Sequence, residues 1–358
     1  MARPHARRPA TLASLAAELG VSRTTVSNAY NRPDQLSAPL RARVLEMARR
    51  MGYPGPDPVA RSLRTRRAGA VGLLLTEELS YAFKDPAAVG FLEGLAEACE
   101  QAGQGLLLIP VSPEHADVGP VHRAGVDGFV VYSVREDDPH FLAVLQRPVP
   151  TVVCDQPGSG VGVDRVGIDD RAATLGLARH LIGLGHRRIG VVCMRLSNVR
   201  RDELVDAQRQ QQSTYPVQRN RLAGLRDGFA EAGVDWDDVP VLERFEHSAA
   251  AGADAARALI DGYPGLTAVV CLSDILAMGV LRYAAERGLD VPGDLTVTGF
   301  DGLAEADRVG LTTVRQPVRE KGLIAGQLLV DHEQRSSPRH VKLPTELIVG
   351  VTSCPPRV

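Results

Sequence analysis

From residue 69 onward, short apolar runs alternate with amphipathic stretches. The runs VGLLLT (71–76), GLLLIP (105–110), GFVVYS (128–133), PTVVCD (150–155), RIGVVC (188–193), AVVCLS (268–273) and LTVTGFD (295–301) have the length of buried strands. Between them, AAVGFLEGLAEACEQAG (87–103) and RAATLGLARHLIGLGH (171–186) place apolar residues at helical spacing. Buried strands separated by helices imply parallel βαβ units, and seven or eight such strands exceed one compact sheet. The pattern therefore predicts two doubly wound parallel-sheet lobes. Ligands of such sheets sit off the carboxyl ends of the strands, which makes Asp155, Ser273, Asp274 and Asp301 candidates for a binding site.

The first 68 residues follow a different pattern. In TLASLAAELGVSRTTVSNAYN (11–31), Ala16, Gly20 and Val26 supply the small residue, the turn glycine and the plug that let two short helices cross closely. Ser22 is a good N-cap, which puts Arg23, Thr24 and Asn28 on the outer face of the second helix. An ordinary αα-hairpin has this shape, and so does a DNA-reading helix-turn-helix. SAPLRARVLEMARRM (37–51) predicts a third helix, with Leu40, Val44, Leu45, Ala48 and Met51 inward. GYPGPDP (52–58) then breaks any helix. The Arg-rich VARSLRTRRAG (59–69) reads either as a linker or as a hinge helix that folds on DNA, with Leu63 wedged into the minor groove.

Charge decides between the two readings of the N-terminal unit. Through Ala68 there are 13 arginines and no lysine against four acids, a net +9, while the remainder carries −11. The overall −2 thus conceals a basic head on an acidic body, and a polyanion is the expected partner of the head alone. No apolar run reaches the roughly 20 residues of a membrane span, and MARPHARRPA lacks the apolar stretch of a signal peptide, so the cytoplasm is the expected location. The five cysteines are scattered without a CxxC, so neither a metal site nor a disulfide framework is expected. No P-loop or Ser/His/Asp motif stands out, and GSGVG (158–162) lacks the strand-to-helix setting of a dinucleotide site. An enzyme is not expected, nor is a cofactor.

The helix-turn-helix, the ARSLRTRRAG hinge, the VDGFVVYS strand, LGHRRIGVV, the RLAG at 221–224, the GFD at 299–301 and LTTVRQP at 311–317 occur in one order. In that order the chain resembles the lactose-repressor family of bacterial transcriptional regulators over nearly its whole length. The resemblance implies a DNA-binding head at 1–57, a hinge helix or linker at 58–68, and an effector-binding, dimerising core at 69–358. Within the core it implies an N-lobe of about 69–167 and 316–343, and a C-lobe of about 168–315 and 344–358. It further implies a repressor that binds a pseudo-palindromic operator in double-stranded DNA as a homodimer. The tail has no Leu heptads, so no tetramer is expected.

DNA contacts are implied for Thr11, Ser22, Arg23, Thr24, Thr25, Ser27, Asn28, Asn31, Ala60, Arg61 and Leu63. Effector contacts are implied for Phe83, Asp85, Asp155, Arg221, His247, Ser273, Asp301 and Gln316. The expected effector is a sugar or sugar derivative, with a nucleobase or nucleoside as the alternative because His247 could stack on a base. Structural alternatives stand beside these roles. Ser273 or Asp274 could cap the following helix, Asp301 could bind backbone donors in its turn, and Arg221 could pair with Asp227 or Glu231. The polar stretch 194–220 is long for the family and reads as either a lid over the pocket or a surface excursion.

Overall fold

The computed structural model describes residues 10–75, 82–110, 117–155, 162–334 and 337–357. The chain divides after Ala68 into a small helical unit and a large α/β unit.

Helices Leu12–Leu19, Arg23–Asn31 and Ala38–Met51 form the small unit. The first starts at Thr11, whose hydroxyl accepts from Ser14 N while the Ser14 side chain accepts from Thr11 N. It ends at Gly20, which turns the chain at φ 65°, a left-handed conformation that a side chain would strain. Ser22 caps the second helix by accepting from Thr25 N. Leu15, Ala16, Val26, Ala29, Val44 and Ala48 are buried together, so Val26 does fill the crossing that Ala16 and Gly20 open. Residues Pro58–Thr65 form a fourth helix on which Leu63 is 77% exposed.

The large unit holds two six-stranded sheets. One contains β1 (Ala70–Leu75), β2 (Gly105–Ile109), β3 (Gly128–Tyr132), β4 (Thr151–Cys154) and β5 (Asp164–Gly167). The other contains β6 (Ile189–Met194), β7 (Val241–Arg244), β8 (Ala268–Cys271), β9 (Thr296–Asp301) and β10 (Thr312–Arg315). β11 (His340–Lys342) then returns to the first sheet and β12 (Glu346–Ile348) to the second. The orders are β11-β5-β4-β3-β1-β2 and β12-β10-β9-β8-β6-β7, the same plan twice. Only the β10–β12 pairing is antiparallel among the described strands. Each apolar run of the sequence lies on a strand, but β5, β7, β10, β11 and β12 are additional. Their residues (DRVG, VLER, TTVR, HVK, ELI) are too polar to register as buried runs. Of these, β7, β11 and β12 lie at sheet edges, although β7 is buried along its whole length.

Helices cover both sheets. Pro86–Gln101 and Val318–Val330 cross so closely that a Cβ on Gly94 would stand 1.9 Å from Arg319 O, and one on Gly322 would stand 2.0 Å from Phe91 O. In the second lobe Asp170–Leu184 packs on Pro216–Ala230, and Ala249–Gly262 packs on Asp274–Glu286. The polar stretch 194–220 is not a loose excursion: both its ends line the cavity described below, and its middle is packed. Leu196 and Val205 join the core, Leu204 bridges to Leu242, and residues Ala207–Gln211 form a short helix. Within it, the Arg209 guanidinium holds the fully buried Glu243 carboxylate at 3.0 Å, and Gln210 accepts from Trp236 Nε1. Internal ion pairing and hydrogen bonding make a polar sequence foldable here, which composition alone does not reveal.

Candidate functional site

On the helical unit, Arg23 and Thr24 project into solvent from the first turn of the helix Arg23–Asn31. The other candidates on and beside that helix have internal work. Ser22 and Thr25 hydroxyls bond each other at 2.8 Å, Asn31 Nδ2 donates to Ser27 O and Oγ, and Asn28 Nδ2 donates to Gln35 Oε1. Thr11 is the cap of the preceding helix, its hydroxyl engaged with Ser14. Ala60 is exposed on the helix Pro58–Thr65; Arg61 lies in the same helix, its side chain outside the described residues. A free guanidinium at a helix start, on a unit of net +9, suits phosphate or guanine recognition.

In the large unit a cavity of about 110 Å³ opens where the carboxyl ends of β1, β3, β4, β6 and β9 converge. Asp85, Asp155, Arg221, His247, Asp301 and Gln316 all line it. Arg221 is at its floor, 5% exposed, with Nε donating to Asp170 Oδ1 at 2.8 Å and Nη1 to Leu272 O at 2.8 Å. Its guanidinium lies 3.6 Å from the centre of the Phe300 ring and 3.7 Å from Asp301 Oδ1. The structural partners considered for it are otherwise engaged: Asp227 binds Arg171 and Glu231 binds Arg179. Asp301 likewise does not bind backbone donors of its turn but accepts from Gln316 Nε2 at 2.6 Å.

Two predicted contacts are corrected. Phe83 is 61% exposed and does not line the cavity, whereas Ala82 and the N-cap Asp85 on either side of it do. Ser273 is wholly buried behind the wall, capping the helix Asp274–Glu286 through Leu276 N and accepting or donating at 2.8 Å to His247 Nε2. That bond, with Asp85 3.9 Å from Nδ1, fixes the His247 ring by its edges. Asp274 is structural as well, accepting from Thr313 Oγ1 and Leu303 N.

The wall also contains groups that the sequence did not single out. Lys321 is 1% exposed and donates from Nζ to Asp155 Oδ2 at 2.6 Å and to Gln316 Oε1 at 2.7 Å. Gln316 thereby links Asp301 of one lobe to Lys321 of the other. Lys321 sits at a helical position that reads simply as amphipathic. Tyr215, Val217 and Gln218 enter from the start of the helix Pro216–Ala230, and Arg195 lies over the rings of Tyr215 and Phe245 at 5.3 and 5.2 Å. Of the described non-glycine residues with positive φ, Ser133 (53°), Asp155 (60°) and Asp301 (124°) all lie on this wall. Backbone strain of this kind persists where surrounding structure enforces it, and it concentrates at ligand sites.

Residues 178–353 match the family model of a periplasmic binding protein-like domain. An HTH-type transcriptional regulator of Mycobacterium tuberculosis is 54% identical to the chain, covering 99% of each. The crystal structure of a LacI-family transcriptional regulator from Corynebacterium glutamicum is 42% identical with a TM-score of 0.75, covering 97% of this chain and 99% of that one. The chain belongs to the LacI family of transcriptional regulators. A further solved structure, the complex of the transcriptional regulator CelR with cellobiose, is 28% identical with a TM-score of 0.69, covering 96% of this chain and 99% of that one. As a LacI-family protein the chain is a DNA-binding transcriptional regulator, a helix-turn-helix unit joined to a periplasmic-binding-protein-like core. Among the described residues no helix is long and apolar enough to cross a membrane.

Acids and cations are nearly balanced around this LacI-family cavity. Asp85, Asp155 and Asp301 line the cavity and Asp170 holds Arg221 at its floor, against the cations Arg195, Arg221 and Lys321. Burial raises the Asp170 carboxyl and pushes that of Asp301 up to about 8, with Arg221 pulling both the other way. Burial also lowers the His247 imidazole, so the ring is neutral at pH 7 and serves as a hydrogen-bonding edge. The Tyr132 hydroxyl is raised well above its ordinary range by burial and by Asp155 and stays protonated. An enclosure of this kind offers many acceptors and few uncommitted positive charges.

Proposed function

We propose that this regulator is a repressor whose operator affinity is set by one neutral, polyhydroxylated effector, a sugar or sugar derivative, held in the cavity between the lobes. The observation that carries the reading is the buried pairing of Arg221 with Asp170 and Asp301 at the strand ends, beside the Gln316–Lys321–Asp155 chain. Strand-end carboxylates flanking one guanidinium present acceptors and donors to paired hydroxyls. The cellobiose complex of a relative supports a carbohydrate effector. On this reading two chains bind a pseudo-palindromic operator, each placing the helix Arg23–Asn31 in a major groove. Arg23 reads guanine or phosphate, Thr24 and Asn28 face base edges, Thr25 and Ser27 approach phosphates, and the hinge helix presents Leu63 to the minor groove. Asn28 must leave Gln35 to do so.

Two measurements test this. Selection from random DNA should return a two-fold-related consensus, and a consensus without that symmetry would refute the dimeric operator. Calorimetry with sugars, in the presence and absence of that operator, should give dissociation constants differing by roughly 5–150-fold. Equal constants would leave a sugar-binding protein whose ligand does not control DNA binding.

A further inference from the structure

We infer that Gln218 is the residue that selects among ligands of this cavity, an inference that rests on the cavity being the effector site. Gln218 stands in the first turn of the helix Pro216–Ala230, three residues before Arg221 and therefore on the same face. It lines the cavity and is 2% exposed, yet among the described residues neither its Oε1 nor its Nε2 has a hydrogen-bond partner. On the other lobe Asp155 Oδ2 is held by Lys321, while Asp155 Oδ1 is buried without a partner.

These two side chains stand apart from the rest of the wall. Arg221, Asp301, Gln316, Lys321 and His247 each spend their polar atoms on one another or on their neighbours. A buried primary amide has two donors and an acceptor, and leaving all of them unpaired is unfavourable. Positions that bury an orphaned amide are kept where another molecule completes the bonding. The unmet capacity of the cavity is thus specific: a carboxylate oxygen that accepts on one side, and an amide that both donates and accepts on the other. One hydroxyl donating to Asp155 Oδ1 and a nearby hydroxyl exchanging bonds with the Gln218 amide would meet it. A ligand lacking the second hydroxyl leaves the amide unpaired, and loss of a hydrogen bond to a buried polar group discriminates far more strongly than loss of a methylene. A phosphate or carboxylate at that point would meet Asp155.

The test compares the full-length protein with Gln218→Met, which keeps the length of the side chain and removes its hydrogen bonds, and with Gln218→Asn, which keeps the amide. Thermal shift and calorimetry use D-glucose, D-ribose and cellobiose, followed by the single-deoxy analogues of whichever sugar binds. The bound sugar should bind Gln218→Met at least about ten-fold more weakly. One deoxy analogue that loses about ten-fold or more on the natural protein should lose nothing further on Gln218→Met, and Gln218→Asn should recover part of the discrimination. The ligand-free Gln218→Met protein should melt no lower than the natural one, because no bond is lost. Unchanged affinity with unchanged discrimination in Gln218→Met would overturn the role of Gln218 and leave the effector site standing. A lower melting temperature without any change in affinity would assign Gln218 to packing instead. If none of the sugars stabilises the natural protein, the polyol reading of the cavity falls, and this inference falls with it.

Discussion

Asp301→Asn distinguishes two descriptions of the cavity floor. The side chain is buried, accepts from Gln316 Nε2 at 2.6 Å and lies 3.7 Å from Arg221 Nη1, whose closer carboxylate is Asp170. Burial places its carboxyl at about 8 in the folded protein against an ordinary value of 3.8. The sign follows directly. Between these values the folded chain holds a proton that the unfolded chain has released, so the contribution of this group is fully present below about pH 4 and declines as pH rises towards 8. One proton of difference corresponds to about 1.4 kcal/mol per pH unit. Asparagine carries no such proton and nearly reproduces the shape of the neutral acid. At about pH 4 the variant should therefore lie within about 1 kcal/mol of the natural protein, and from there to about pH 8 it should become the more stable of the two by about 1.4 kcal/mol per pH unit. Urea unfolding of both proteins at about pH 5, 7 and 9 measures the difference, with the other titrating groups cancelling in the subtraction. A difference independent of pH, with the variant about 3–5 kcal/mol less stable throughout, would refute the reasoning. It would mean that Asp301 is an ionised partner whose loss strands Arg221.

Arg209→Ala should cost about 3–5 kcal/mol in urea unfolding by stranding the wholly buried Glu243 carboxylate, and a loss below about 1 kcal/mol would contradict the pairing. Gly94→Ala should destabilise by about 3 kcal/mol, because the new Cβ would stand 1.9 Å from a backbone oxygen of the facing helix; an unchanged denaturation midpoint would exclude that close crossing. Leu63→Ala removes a side chain that is 77% exposed, so melting should be unchanged within about 0.5 kcal/mol while binding to the selected operator weakens far more than binding to random DNA. Equal losses on both DNAs in a filter-binding assay would return the segment to the role of a plain linker.

What the sequence makes legible follows the strength of local physics. Ala16, Gly20, Ser22 and Val26 act within one short hairpin, and each performs the task that its own chemistry suggests. Apolar runs such as GFVVYS announce central strands because both faces of those strands are covered. The strand VLER at 241–244 escapes because its Glu243 is buried through a pair with Arg209, a contact 34 residues apart. In the cavity, strand-end acids could be read from position alone, and Arg221 and Gln316 through family resemblance. Lys321 could not, since a lysine on an amphipathic helix has no local feature that distinguishes a buried ion pair from a solvated one. Phe83 shows the converse error. It lies only two residues from the wall residue Asp85, yet it is 61% exposed and does not line the cavity.

The same cavity geometry bears on how a bound molecule could influence the DNA-binding head. A ligand touching only one lobe would bind open and closed arrangements equally, and equal affinity shifts no equilibrium. Here the wall is drawn from both lobes, and polar ties already span it. Gln316, held by Lys321, donates to Asp301, Asp85 approaches His247, and Glu136 accepts from Arg219 Nη2 at 3.3 Å while its backbone amide donates to Thr214 O at 3.4 Å. A ligand bonded to Arg221 and Gln218 on one side gains its contacts with Asp155 only while that side is brought near. Two or three such bonds, at about 1 kcal/mol each, supply a coupling of about 1–3 kcal/mol, the range in which allosteric control of binding operates. The Glu136–Arg219 tie is half exposed and worth little by itself. On the proposed reading, coupling would reside in the buried groups, with Asp155 and Gln218, on opposite lobes and each with bonding capacity to spare, as the pair through which a ligand would exert it.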